Sequence, residues 1–146
     1  MSNTEADPTE IRCCTEDRAV GDVRRLALRG EQEAQQAALM MSAQNDLSHF
    51  PNSSWACYTA AGAEAAGHSN LAIGATGPQA IDLYMDDFGA GNEDLGHRRW
   101  ILYPPQKVMG NGSAPETAGH SAAHDLWVIG GFGMRPAQPE FVAWPP

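Results

Sequence analysis

Apolar and polar positions predict helices in the first half of the chain and strands in the second. In residues 31–43, apolar side chains recur at positions 34, 37, 38 and 41, which is the spacing of one helix face. A second helix is predicted over residues 78–88, because Pro78 fits the first turn of a helix and an apolar stripe follows it. The segment "AAGAEAAG" predicts a short helix around Glu64.

The predicted strands follow residue 97. The segment "RRWILYP" predicts a strand with Arg98 and Arg99 on opposite faces, both at the surface, and with Trp100 in the core. "DLWVIGGFG" is the most apolar predicted strand, and "KVMGNG" and "EFVAW" predict shorter ones. "SNLAIGATGP" and "SAPETAGHSAAH" are predicted connections. Because helices precede strands, an α+β domain with an antiparallel sheet is favoured over alternating βαβ units.

Composition argues against two classes of function. The chain has 18 acidic and nine basic residues, a net charge of −9, and its basic residues are scattered, so no cationic nucleic-acid footprint is present. No apolar run approaches the ~20 residues that span a bilayer, so no transmembrane segment is predicted. Residues 1–17 predict a disordered lead that lacks the basic start and apolar stretch of a secretory signal.

The three cysteines leave more than one arrangement open. Cys13 and Cys14 are adjacent, and such a pair bridges only with strain. Cys57 can pair with either of them, which leaves one free thiol. Because no CxxC spacing is present, a zinc site built on thiolates is not predicted.

The candidate chemistry lies in histidines and acids near predicted element ends. The HExxH, GxSxG and P-loop motifs are absent from the sequence. His49 follows the first helix and His97 precedes a predicted strand, so both can meet at one end of a sheet. Imidazole binds zinc-like metals and carries protons near neutral pH, although a histidine that bonds a loop backbone is the alternative. Asp86 lies on the polar helix face, whereas Asp87 lies on a flank that can face a cleft.

Three segments together resemble one protein family. "AQQAALMMSAQNDLSH", "SNLAIGATGPQAIDLYMDD" and "GNEDLGHRRWILYP" occur in the order found in the CAP superfamily (cysteine-rich secretory proteins, antigen 5 and pathogenesis-related 1 proteins). The resemblance is closest to the bacterial branch. It places the domain at residues 34–135, after a poorly matched, partly disordered segment 1–33 and before a C-terminal tail or edge strand at 136–146. It implies a three-layer α-β-α sandwich with a small central antiparallel sheet and an extracellular location.

The resemblance also implies a cleft with two histidines and two acids. His49 and His97 match the histidines, and Asp87 falls where the family commonly has a glutamate. Where the family often reads "GENLA", this chain reads "HSNLA", so Ser69 replaces the second acid. Glu64, five residues earlier, is the candidate substitute.

Three functions follow from this resemblance. The first is a non-catalytic module that binds a divalent cation such as zinc or a small or lipid-like ligand in the cleft, or a protein partner on its surface. The second is a metal-assisted hydrolase in which His49, His97 and Asp87 hold the ion and Glu64 is the general base. The third is a degenerate or truncated domain. The sequence predicts no oligomeric state.

Overall fold

Four helices and three strands make up the part of the chain that the computed structural model describes, residues 25–92 and 94–133, with backbone alone for 25–29. In chain order they are α1 (Arg25–Gln44), α2 (Ala60–Gly67), β1 (Ser69–Ile73), α3 (Gly77–Asp86), α4 (Gly96–Ile101), β2 (Gly110–Ala114) and β3 (Ala123–Trp127). The predictions for residues 1–17 and for the strand in "EFVAW" lie outside the described residues. The predicted helices in residues 31–43, around Glu64 and in residues 78–88 are confirmed as α1, α2 and α3.

The three strands form one antiparallel sheet in the order β1-β3-β2. Asp125 lies at the centre of this sheet, opposite Leu71 on one side and Gly112 on the other. Helices α1 and α2 cover one face of the sheet, and α3 and α4 lie on the other. The predicted α+β class with a three-layer α-β-α arrangement is therefore confirmed.

Each face of the sheet buries its own apolar cluster. Leu71 points toward α1 and α2, and its neighbour Ala72 packs with α3, as the alternation of a strand requires. The first cluster is dominated by alanine and methionine: Ala37, Ala38, Met40, Met41, Ala65, Ala66, Leu71, Ala114 and Ala123. The second contains Ala72, Ala75, Ala80, Tyr84, Leu126 and Val128. Small side chains bring the layers close together.

The closest approach is between α1 and β2. A Cβ atom on Gly112 would overlap the backbone of Ala34, so only glycine fits at this position. Gln35 then bonds to both backbone groups of Ser113, with Nε2 donating at 2.8 Å and Oε1 accepting at 3.1 Å. This contact fixes the register of α1 on the sheet.

The prediction of a strand at "RRWILYP" is wrong, because residues 96–101 form helix α4. A tertiary contact explains the difference: the Asp87 carboxylate accepts a hydrogen bond from the Arg98 N–H in the first turn of α4. Arg98, predicted at the surface, is half-buried. Its guanidinium donates to the carbonyls of Met85 and Asp86 at the C-terminal end of α3, whereas Arg99 is exposed.

Two further boundaries differ from the sequence prediction. The start of "SNLAIGATGP", predicted as a connection, is strand β1. Its first four residues are all buried, so the apolar–polar alternation that marks a half-exposed strand is missing. The strand predicted in "DLWVIGGFG" starts earlier than expected, at Ala123, and ends at Trp127. The short strand predicted in "KVMGNG" is realised as β2, which begins at Gly110.

Candidate functional site

A cavity of about 470 Å³ opens between the loop after α1, the start of β1, helix α4 and the segment after β3. Its polar wall includes His49, His97, Ser69, Asn70, Asn92 and Asp94. Its apolar wall includes Phe50, Trp100, Val128 and Ile129. The two predicted histidines thus meet in one cavity. The expectation that Trp100 is a core residue is wrong, because its side chain lies in this wall and is 38 % exposed.

His97 is held by a carboxylate beneath it. Its Nδ1 lies 2.7 Å from Oδ1 of Asp87, and Oδ2 of Asp87 accepts the Arg98 N–H at 3.2 Å. Asp87 is only 2 % exposed and is held in the left-handed region, at φ 47°, as the C-cap residue of α3. Since Nδ1 donates to the carboxylate, Nε2 of His97 is left with its lone pair for a ligand.

The charge state of Asp87 follows from these donors. Burial alone would raise its pKa, but the hydrogen bonds from His97 and from the Arg98 backbone outweigh burial, so the pKa lies below its ordinary value. The carboxylate therefore stays ionised at neutral pH and fixes the tautomer of His97. The expectation that Asp87 itself faces the cleft is not met, because Asp87 does not line the cavity and contacts it only through His97.

Two further groups hold His97 from the sheet side. The Tyr84 ring stacks on the imidazole, with ring centroids 5.6 Å apart. Asn70 Nδ2 donates to the His97 carbonyl at 3.0 Å, and the Tyr84 hydroxyl donates to the Asn70 carbonyl at 3.0 Å. These contacts link β1, α3 and α4, so the position of His97 depends on all three elements.

His49 is anchored in the same way by a different group. Its Nδ1 donates to the Ala66 carbonyl at 2.8 Å, which ties the loop after α1 to the end of α2. This is the backbone contact expected for a loop histidine. It also leaves Nε2 of His49 as the atom with a free lone pair. Both imidazoles therefore present the same kind of atom to a ligand.

A second buried carboxyl, which was not predicted from the sequence, lies behind the cavity wall. Ser69 Oγ is 2.7 Å from the Ala65 carbonyl and 2.7 Å from Asp125 Oδ1. Asp125 is fully buried, its Oδ2 has no partner in the described part of the chain, and burial raises its pKa to about 8. A carboxylate in the middle of the apolar strand "AHDLWVI" was the available signal.

The hydrogen-bond count at Ser69 agrees with a protonated Asp125. A hydroxyl has one proton, and the Ala65 carbonyl can only accept. When Ser69 donates to Ala65, the 2.7 Å contact to Asp125 is a hydrogen bond only if the carboxyl carries the proton. The position where the resemblance expects an acid therefore holds a hydroxyl with a neutral acid behind it.

The four predicted ligands are not brought together as one metal centre. Glu64 is exposed on α2 and does not line the cavity. Both oxygens of Asp87 are used by His97 and Arg98. Across residues 25–92 and 94–133, no three His, Cys, Asp or Glu side chains are grouped to hold an ion. Of the four predicted ligands, only the two imidazoles line the cavity, which does not fit a resident zinc site of three or four protein ligands.

Another histidine, His124, has a purely structural environment. It is fully buried, with Nε2 donating to Asn111 Oδ1 at 2.7 Å and Nδ1 3.1 Å from the Tyr84 hydroxyl. Burial lowers its pKa, so the ring stays neutral. Its contacts join β2, β3 and α3.

The α-β-α sandwich and its cleft with two histidines define a class of protein, and comparison with known protein families identifies that class. The family model for CAP, the cysteine-rich secretory protein family, matches residues 29–130. The chain belongs to this family, which confirms the resemblance; the bacterial branch stays a prediction. Searches of curated proteins and of solved structures give no significant match. Within the described residues, no helix has the length and apolarity to cross a membrane.

Proposed function

We propose that this chain is a non-catalytic, extracellular CAP-type module that binds a small ligand in the cleft of His49 and His97. One observation carries the proposal: both histidines line the same cavity, and each uses Nδ1 for a protein contact. Their Nε2 atoms are therefore pre-oriented acceptors. A cavity of about 470 Å³ is within the range of small-molecule sites.

The absence of an activated nucleophile favours binding over catalysis. Among the described residues of the cavity wall, Ser69 alone carries a hydroxyl, and it is 6 % exposed. That hydroxyl is engaged with Ala65 and Asp125 rather than with a histidine. A serine nucleophile needs a base within hydrogen-bond reach. Glu64, the base of the hydrolase alternative, lies away from the cavity wall.

A weakly bound divalent cation is a second candidate ligand. A histidine whose Nδ1 donates to a carboxylate or a carbonyl is the usual outer-shell arrangement around a metal-binding imidazole. His97 and His49 have these two partners. Two imidazoles with water completing the shell would give an exchangeable ion, with lower affinity than a site with three or four protein ligands.

Fragment binding followed by ligand-observed NMR tests the proposed function. The parent, His97→Ala and His120→Ala variants are compared; His120 lies outside the cavity wall and is the matched control. We expect a group of fragments that bind the parent and His120→Ala but are lost in His97→Ala. Fragments that bind all three chains equally would show that the cleft is not the ligand site.

A further inference from the structure

We propose that the ligand of this cleft is an organic cation, a quaternary or fully alkylated ammonium group, held by Trp100, Phe50 and Asp94. The inference rests on the proposed function, because it names the ligand class of the same cavity. Three independent features of the wall lead to it: its formal charge, its exposed aromatic rings and its shortage of metal ligands.

The charge of the wall selects against anions. Among the described lining residues there is no lysine or arginine, and Asp94 is the one carboxylate whose side chain is exposed. The chain as a whole carries a net charge of −9. Such a field attracts cations and repels phosphates and fatty-acid carboxylates before they reach the cleft. A negatively charged ligand would find no permanent positive charge in this wall.

The aromatic residues supply the surface that an alkylated ammonium needs. Phe50 is 89 % exposed and Trp100 is 38 % exposed, and both line the cavity. The Trp100 ring is packed against Tyr103 in an edge arrangement, with centroids 5.8 Å apart, and Tyr103 packs in turn against Phe132. This row of rings holds Trp100 in place. Tryptophan is the best aromatic partner for a cation, and aromatic walls are the usual receptors for quaternary ammonium groups.

The same wall is poorly suited to a tightly held metal ion. No three His, Cys, Asp or Glu side chains of the described chain are grouped around it. An alkylated ammonium needs no coordinating lone pairs, only aromatic faces and a nearby negative charge. The free Nε2 atoms of His49 and His97 are then acceptors for a hydroxyl on the ligand. In a choline-like molecule, the cation matches the aromatic rings and Asp94, and the hydroxyl matches the two histidines.

A comparison of choline with its uncharged isostere tests the proposal. In 3,3-dimethylbutan-1-ol a carbon atom replaces the nitrogen, so shape and hydroxyl are kept and the charge is removed. Because a cation–π contact to exposed rings contributes about 0.5–1 kcal/mol, we expect choline to bind about two- to fivefold more tightly in titration calorimetry. Equal affinities, tighter binding of the isostere or no binding of choline would each overturn the proposal.

Variants show whether the named residues carry the selectivity. Trp100→Leu keeps an apolar side chain and removes the π face, and Asp94→Asn removes the charge with the shape kept. Each should reduce the choline-to-isostere ratio by about two- to fivefold, toward equal binding of the two compounds. The controls are Phe88→Leu and Asp82→Asn, which are exposed positions outside the wall. Thermal unfolding shows whether each variant is folded. If Trp100→Leu does not fold, Asp94→Asn decides the test. An unchanged ratio in a folded variant counts against the proposal.

The two proposals fail in different ways. If both compounds bind equally and His97→Ala removes both, the cleft binds a small apolar ligand and only the cation is wrong. If no fragment depends on His97, the cleft is not a binding site and both proposals fall.

Discussion

Two buried aspartates, Asp87 and Asp125, show opposite responses to the same loss of water. Asp87 is 2 % exposed and has its pKa lowered, whereas Asp125 is fully buried and has its pKa raised to about 8. The difference lies in their partners. Asp87 receives hydrogen bonds from His97 and from the Arg98 N–H, while among the described residues Asp125 contacts only the Ser69 hydroxyl and its Oδ2 has no partner. Donors, more than depth, decide whether a buried carboxyl is charged.

The charge states suit the two positions. The ionised Asp87 holds the imidazole of His97 in one tautomer at the cavity wall. The neutral Asp125 lies in the central strand, opposite Leu71 and Gly112, where an unpaired charge would be costly. Asp87 is therefore a carboxylate that orients a histidine of the cavity wall, whereas Asp125 is a carboxylic acid that belongs to the core.

The largest expected effect is a pH dependence of stability that Asp125 causes. Its folded pKa is raised, so its contribution to the free energy of unfolding is full below about pH 4 and is lost as the pH rises to about 8. The loss is on the order of 5 kcal/mol by linkage. Urea unfolding across this range should show the decline in the parent and a much flatter profile in Asp125→Asn.

Asp87 has the opposite sign and a different window. Its folded pKa is lowered, so the stability that it contributes is present above the ordinary aspartate pKa and is lost as the pH falls through the folded value. Its titration therefore lies below the window of Asp125. A parent profile with no decline between about pH 4 and pH 8 would contradict the assignment of Asp125.

The next effect is the loss of the Asp87 carboxylate. Asp87→Ala removes the buried carboxylate that accepts hydrogen bonds from His97 Nδ1 and the Arg98 N–H. We expect a loss of about 2–4 kcal/mol in the free energy of unfolding, because hydrogen bonds to a charged group contribute more than neutral ones. Asp86→Ala, at the exposed neighbouring position, is the control and should change stability by less than about 0.5 kcal/mol. Similar losses from both variants would show that Asp87 has no special role.

A third experiment asks whether Asp87 acts through His97. Asp87→Asn keeps the shape but no longer holds the imidazole with a charge. If zinc binds the cleft weakly through the imidazoles, the variant should lower zinc affinity by about 10- to 100-fold, as is usual for outer-shell partners. Calorimetric titration of the parent, Asp87→Asn and Asp125→Asn measures it. Asp125 does not contact either histidine through a direct hydrogen bond, so equal losses from both variants would contradict the positioning role.

The contrast between local and distant contacts explains how much of the structure could be predicted from the sequence. Periodicity located α1 and α3, and it placed Asp87 on a helix flank, because these are local consequences of helical spacing. His49 and His97 were singled out by their places at predicted element ends, and the resemblance then matched them to the two cleft histidines of the family. The convergence of these two histidines on one cavity was an expectation that the structure agrees with.

The features that could not be predicted from the sequence depend on contacts between residues that lie far apart along the chain. Helix α4 has β-favouring residues, and its first turn is supported by Asp87 from α3. Strand β1 is buried on both faces, so it has no alternation to read. The pairing of Ser69 with Asp125 spans 56 positions in the chain. No local pattern predicts which polar residue of one strand meets which residue of another.

The smallest expected effect concerns Arg98, which joins the Asp87 region to the end of α3. Its backbone N–H donates to Asp87, and its side chain donates to the Met85 and Asp86 carbonyls. A cation at a helix C-terminus and its hydrogen bonds together contribute about 1 kcal/mol. Arg98→Ala should therefore lower the free energy of unfolding by about that amount, whereas the exposed neighbour Arg99→Ala should not. Since the backbone donor is kept in Arg98→Ala, the Asp87–His97 pair should persist, and the imidazole signals of His97 in NMR should stay unchanged. A shift of those signals in Arg98→Ala but not in Arg99→Ala would show that the arginine side chain, and not the backbone alone, sets the position of the histidine.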